Sequence, residues 1–154
     1  MDKFDKRILE CLQHDCTTAI STLAKSVGLG TTACWRRVNK LENDGTIQKR
    51  VALLDASRLN VGLELYVMIK SEVCDDKPAL QQAIQAMPEI VDAYRMSGHI
   101  SYLLRVVVPD MAAYDHVRKS LSDIAGFREI SADVSIERIK KTTALPLRYV
   151  ETVS

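Results

Sequence analysis

No stretch of this 154-residue sequence stays apolar for the roughly 20 residues that a membrane-spanning helix needs. Nor is a secretory leader expected. The opening Met1-Asp2-Lys3-Phe4-Asp5-Lys6-Arg7 mixes acids with bases and has no apolar segment behind it. The expectation is a cytoplasmic protein. Four cysteines, Cys11, Cys16, Cys34 and Cys74, form no C-x-x-C pair and no metal-ligand spacing, so they read as reduced thiols. Cys11 and His14 are close enough on a helix to share an ion, but no further ligands stand nearby. No G-x-S-x-G, H-E-x-x-H or phosphate-binding glycine loop occurs, and His14, His99 and His116 are scattered. The sequence is therefore expected to have no catalytic centre, no metal site and no cofactor.

A large excess of either charge is also missing, with 21 basic against 20 acidic residues. The balance hides an asymmetry. Residues 1–50 hold nine Lys/Arg and six Asp/Glu, a net of +3, while residues 51–154 hold twelve and fourteen, a net of −2. The basic excess sits at the end where nucleic-acid contact is read below.

What is present begins with three helical patterns. Phe4, Ile8, Cys11 and Leu12 recur at helical spacing and predict a first helix ending near Gln13–Asp15. Ile20, Leu23, Ala24 and Val27 give a second with one apolar stripe. Gly28-Leu29-Gly30 follows; Gly28 supplies the positive φ that stops a helix, and Thr31 or Thr32 is placed to cap a third. At about 100° per residue, Cys34, Val38 and Leu41 cluster on one side of that third helix. Opposite lie Thr32, Arg36, Asn39 and Asn43, with Lys40 and Ala33 on one shoulder and Trp35 and Arg37 nearer the edges. These hydroxyl, guanidinium, amide and ammonium groups can bond base edges or phosphates. Two short helices joined by a glycine turn, the second polar and basic outside, are a helix-turn-helix pattern. Asp44-Gly45 then signals a turn, and 46–54 reads as a pair of strands with Lys49 and Arg50 at its tip or flank. That is a wing gripping the phosphate backbone. Cys34 has a second reading as an oxidation sensor, which its place on the core side disfavours.

The rest of the chain repeats a strand-helix-strand unit. Leu63, Leu65, Val67, Ile69 and Val73 alternate with Glu64, Tyr66, Met68, Lys70 and Glu72. The Tyr66–Met68 side is apolar enough to meet another subunit. Asp75-Asp76-Lys77-Pro78 breaks this strand, a helix carries Leu80, Ala83, Ile84 and Met87, and a strand runs from Ile90 to Met96. The order then recurs: a strand over Ile100–Val108, a helix bearing Met111, Tyr114, Val117, Leu121 and Ile124 that Gly126 stops, and a last strand from about Ile130 to Lys141. The fold class expected is α+β, an N-terminal winged helix-turn-helix joined to a ferredoxin-like βαββαβ sandwich. The divisions fall at 1–50 for DNA binding, 51–61 for a linker strand and 62–154 for effector sensing and oligomerisation.

This series resembles the Lrp/AsnC transcription regulators of bacteria and archaea over nearly the whole chain. The residues that carry it are Asp5 with Ile8-Leu9, Leu23-Ala24…Val27-Gly28-Leu29, Arg37-Val38…Leu41-Glu42…Gly45…Ile47, Ser97-Gly98…Tyr102-Leu103-Leu104, Val108-Pro109-Asp110…Tyr114 and Ile139-Lys140…Thr142-Thr143. Cys34-Trp35-Arg36-Arg37 and Val51-Ala52-Leu53-Leu54-Asp55 look like one amino-acid-responsive branch. The resemblance implies a sequence-specific, double-stranded-DNA-binding regulator of amino-acid metabolism genes, not an enzyme. Its DNA contacts would come from Thr31, Thr32, Trp35, Arg36, Arg37, Asn39, Lys40, Asn43, Lys49 and Arg50. It implies homodimers paired through their sheets and joined into tetramers or octamers, with an amino-acid-like effector between dimers near Gly98, His99, Ser101, Tyr102, Met111, Asp133 and Ser135. The family's usual Gly-Asp-x-Asp is here Gly98-His99-Ile100-Ser101, so neither carboxylate that could partner an ammonium group is present. The family's capping Ser is Gly30, which moves the expected cap to Thr31, and an Arg common before the second helix is Thr17. Two alternatives stand beside this reading: a tetrapyrrole (sirohaem-type) decarboxylase with a similar two-domain plan, and an effector-independent, architectural DNA-binding protein.

Overall fold

A computed structural model describes residues 1–71, 78–123 and 127–151. The chain divides into two compact units, one of 1–53 with 140–154 and one of 54–139. The sequence-based division differs at its end. The last residues, expected in the 62–154 domain, belong with the N-terminal helices.

In the first unit, α1 spans Lys3–His14, α2 Ile20–Val27 and α3 Thr31–Asn43. Asp2 caps α1 through a reciprocal box with Asp5, so the backbone N–H groups of Asp2, Phe4 and Asp5 are all satisfied. Gly28, at φ 76°, ends α2 in the left-handed region that a Cβ disfavours. Helix α3 starts one residue earlier than a Thr cap requires. Its N-cap is Gly30 and no side chain bonds the first turn, so Thr31 and Thr32 lie inside the helix. The apolar stripes meet in a core of Ile8, Leu9, Leu23, Ala24, Val27, Cys34, Val38 and Leu41. Burying a Leu, Ile or Val side chain contributes about 1.5–3 kcal/mol, so this small core holds three short helices that would be marginal alone. Ile47 packs against it, drawn in by its N–H donating to the Leu41 carbonyl at 2.8 Å.

The C-terminal segment closes on the same core. Gln13 of α1 grips Leu145 at both backbone groups: its amide donates to the Leu145 carbonyl at 3.3 Å and accepts from the Leu145 N–H at 2.5 Å. Leu147 then packs among the buried side chains of the three helices.

No strand forms over 46–54, so the expected wing is not a strand pair within one chain. Every residue from 48 to 60 is exposed, including Val51, Leu53 and Leu54. A strand needs a partner for its backbone, and none of the described residues supplies one here.

The second unit follows the order β1 (Leu63–Ser71), α4 (Pro78–Ala86), β2 (Ile90–Arg95), β3 (Tyr102–Val108), α5 (Met111–Ser122) and β4 (Phe127–Val134). Its sheet runs β2-β3-β1-β4 with antiparallel neighbours throughout, the split βαββαβ arrangement. Alternation decides the faces. Leu65, Val67 and Ile69 of β1 and Tyr102, Leu104, Val106 and Val108 of β3 point into one core with Leu80 of α4 and Tyr114, Val117 and Leu121 of α5. The other face of the sheet is left open. The last strand stops short of the expected Lys141, because Val134 already pairs with Leu65 and β1 begins only at Leu63. Ile136 and Ile139, within the span expected for that strand, are 100% and 92% exposed. The calls on Glu72, Val73, Cys74, Asp75, Asp76, Lys77, Ile124 and Gly126 lie outside the described residues.

Candidate nucleic-acid interface

Helix α3 shows three environments around its axis. Cys34, Val38 and Leu41 are buried. Burial pushes the Cys34 thiol up from its ordinary value, which suppresses the reactive thiolate and leaves no support for a redox sensor. On the far side Thr31, Thr32, Arg36, Lys40 and Asn43 are exposed, Asn39 is half-buried and Trp35 is 55% exposed. This ridge of donors and acceptors, with one large aromatic surface, matches what major-groove base edges present.

The structure separates the basic residues that the sequence grouped together. Arg37 does not belong to the outer ridge. Its Nη1 donates to Asp2 Oδ2 at 2.6 Å and to Asp5 Oδ1 at 2.7 Å. Those bonds, to Asp5 first and Asp2 second, raise the pKa of the guanidinium further. Arg50 is engaged as well, donating to Glu42 Oε1 at 2.8 Å and to the Cys16 carbonyl at 3.3 Å. It ties 50 back to α3 and to the turn before α2 rather than standing at a wing tip. Sequence reasoning missed these partners because Asp2, Asp5 and Cys16 lie more than thirty residues away along the chain and Glu42 is reached only by a chain reversal after α3; the Asp2-x-x-Asp5 box was the one available signal for the first.

The seven positions carried over for an effector fall into two groups. Gly98, His99 and Ser101 lie in the β2–β3 turn, where the Ser101 N–H donates to the Ile69 carbonyl at 2.8 Å, and Tyr102 pairs with Ile69. Met111 begins α5 just after Val108, the partner of Leu63, while Asp133 pairs with Tyr66 and the Ser135 N–H donates to the Glu64 carbonyl. From Leu63 to Ile69 the strand rises about 20 Å. One chain therefore does not gather all seven into one pocket. Tyr102 also faces the core, whereas Gly98 and His99 are exposed.

A family model for the AsnC-type helix-turn-helix domain matches residues 1–42, and one for the Lrp/AsnC ligand binding domain matches residues 64–145. The chain belongs to the Lrp/AsnC family. The Escherichia coli K12 DNA-binding transcriptional activator DecR is 38% identical to it over 150 residues, covering 96% of this chain and 99% of that protein. The crystal structure of an AsnC family transcriptional regulator from Agrobacterium tumefaciens is 44% identical, with a TM-score of 0.88, covering 98% of this chain and all of that one. A Neisseria meningitidis transcriptional regulator solved as an L-Met complex is 27% identical with the same TM-score of 0.88, over 98% and 99% of the two chains. This Lrp/AsnC protein is a DNA-binding transcriptional regulator, not an enzyme, and the comparisons lend the decarboxylase reading no support. Among its described residues no helix is long and apolar enough to cross a membrane.

The open sheet face carries the second unit's main charge network. Arg105 donates from Nε to Asp92 at 2.7 Å and from Nη1 to Glu64 at 3.2 Å, and Arg138 donates to the other Glu64 oxygen. Burial pulls the Glu64 pKa up, but the bonds from Arg138 and Arg105 outweigh it and hold the carboxyl below its ordinary value. Tyr66, Met68, Leu103 and Val107 lie on this same face, which makes it a mixture of charge and apolar surface.

Proposed function

We propose that this regulator binds imperfectly palindromic DNA sites in the cytoplasm as a homo-oligomer and answers to an amino-acid-like effector. The outer ridge of α3 carries the reading. Thr31, Thr32, Trp35, Arg36, Asn39, Lys40 and Asn43 enter the major groove, with Arg36 supplying the guanidinium suited to a guanine edge. Lys49, exposed on the segment after α3, contributes a phosphate contact that positions the protein without reading sequence. Arg37 and Arg50, held by carboxylates of their own unit, are left out of the contact set.

Two copies meet through their open sheet faces, where Tyr66, Met68, Leu103 and Val107 exclude water around the Arg105–Glu64 network. The effector site would then be shared between copies, with Gly98, His99 and Ser101 from one and Met111, Asp133 and Ser135 from another. The L-Met complex of the Neisseria relative supports an amino acid as its ligand class. With His99 and Ser101 in place of acidic residues, backbone carbonyls, or Asp133 from a neighbouring copy, take the ammonium group.

A low-salt mobility shift with fragments of the source genome tests the DNA reading, and retention of discrete fragments over bulk competitor is the expected result. Binding to none of them would falsify it. A thermal-shift screen of the common amino acids tests the effector, because a ligand at 100 times its Kd stabilises the folded state by about 2.7 kcal/mol. A transition unmoved by all of them leaves the protein an effector-independent DNA binder.

A further inference from the structure

Arg37 sits mid-way along α3, yet its single Nη1 bridges the two carboxylates that cap α1. The division of oxygens is complete. Asp2 uses Oδ1 for the Phe4 and Asp5 N–H groups, at 2.8 and 3.0 Å, and Oδ2 for Arg37. Asp5 uses Oδ2 for the Asp2 N–H at 3.0 Å and Oδ1 for Arg37. The Phe4 ring lies 5.5 Å from the guanidinium carbon and closes it from another side. Asp5 is 6% exposed, the one buried charged residue among those described, so its partner is held in a partly desolvated place. An open cleft of about 550 Å³ beside this cluster is lined by Met1, Asp2, Asp5, Arg36, Arg37 and Lys40.

We propose that Arg37 is a positioning residue rather than a DNA contact: by locking α3 to the capping box of α1 it sets the rotation of α3 about its own axis, and so decides which side chains face the groove. This rests on the DNA reading above and adds a cause for its specificity. Side-chain tips lie about 5–6 Å from a helix axis, so a rotation of roughly 20° moves Arg36 or Asn39 by about 2 Å. That displacement is enough to lose a hydrogen bond to a base edge but not the general attraction to phosphate. The carboxylate geometry suits the task. Both acceptors are fixed by backbone bonds at a helix end, so they cannot follow α3 if it turns.

The test uses the full chain, a duplex enriched by the wild type from a random-sequence pool, and a scrambled duplex of the same composition. Arg37→Gln is expected to weaken the selected duplex at least tenfold and the scrambled one less than twofold, at a temperature where circular dichroism shows both proteins folded. The slope of log K against log salt stays within a few tenths of wild type. The double variant Asp5→Asn/Arg37→Gln, which preserves net charge, behaves the same way. Arg37→Lys recovers most of the specific affinity, because one nitrogen can serve both oxygens. Simple destabilisation would lower both affinities by the same folded fraction and leave their ratio unchanged, which overturns the proposal. So does an equal loss on both duplexes with the slope falling by about 0.9, the mark of a lost phosphate contact. A wild type that enriches no duplex sinks the DNA reading and this inference with it.

Discussion

The outer face of α3 and the open face of the sheet are both uncovered sides of well-packed elements, and they are built from different materials. The helix exposes hydroxyls, amides and cations with one indole. The sheet exposes Tyr66, Tyr94 and Val91 around paired charges. On the helix, Arg36 and Lys40 have no carboxylate partner within salt-bridge distance in the pairs described, while Arg37 is consumed by Asp2 and Asp5. On the sheet, Arg105 and Arg138 are both satisfied by Asp92 and Glu64. Cations kept available suit a polyanion, whereas cations neutralised in advance among apolar side chains suit a second protein surface.

The sharpest way to break this contrast is at Arg36. Arg36→Ala should cost about 1–3 kcal/mol of specific binding, a loss of roughly five- to 150-fold, with much less effect on unrelated duplex in parallel mobility shifts. An equal loss on both would demote it to a backbone contact. Next in size is a change on the sheet. Tyr66→Asp replaces an aromatic ring with a further carboxylate at the centre of the open face, and sedimentation should show self-association weakened by at least about tenfold in a chain still folded by far-ultraviolet circular dichroism. Unchanged assembly would mean that this face is not the subunit contact. Lys49→Ala is milder: it should lower affinity for all duplexes alike and reduce the salt slope by about 0.9.

The smallest expected effect concerns acid. Glu64, held below its ordinary pKa by Arg138 and Arg105 against the pull of burial, stabilises the fold wherever the unfolded-state carboxyl is ionised. That contribution is lost as pH falls through the depressed folded-state value. Asp2 follows the same sign, its carboxyl lowered chiefly by the Asp5 backbone N–H with Arg37 assisting. Melting temperatures should therefore drop as the solution is acidified through the carboxylate range, and Glu64→Gln should flatten that dependence. An identical slope in the variant would show that the network gives no stability.

Periodicity made much of this legible in advance. Cys34, Val38 and Leu41 on the core side of α3, Gly28 as the stop of α2 and the alternation of β3 all follow from local spacing, which a sequence states directly. What stayed hidden depends on distant partners. An angular projection places Arg37 at the edge of α3 but not which neighbour waits there. The apolar residues of 46–54 and of 136–139 look strand-like by composition, yet a strand exists only where another backbone pairs with it, and β1 starts at Leu63, which leaves nothing opposite the residues beyond 136. The positions carried over for an effector share a family pattern but divide between the Ile69 side of β1 and its Leu63–Tyr66 half, a separation that no motif spacing reveals.

Because 1–53 and 140–154 belong to one unit, the chain enters the sandwich once and comes back. A single nick in the exposed stretch 48–60 would consequently leave the three helices held to the rest of the protein only non-covalently, by the hydrogen bonds and packing of Leu145 and Leu147. Severing the two parts takes two cuts, and expressing residues 1–50 by themselves would strip Leu147 from the helical core and Leu145 from the grip of Gln13. A faithful minimal DNA-binding fragment is thus a splice of both termini, joined by a linker where the sandwich has been removed.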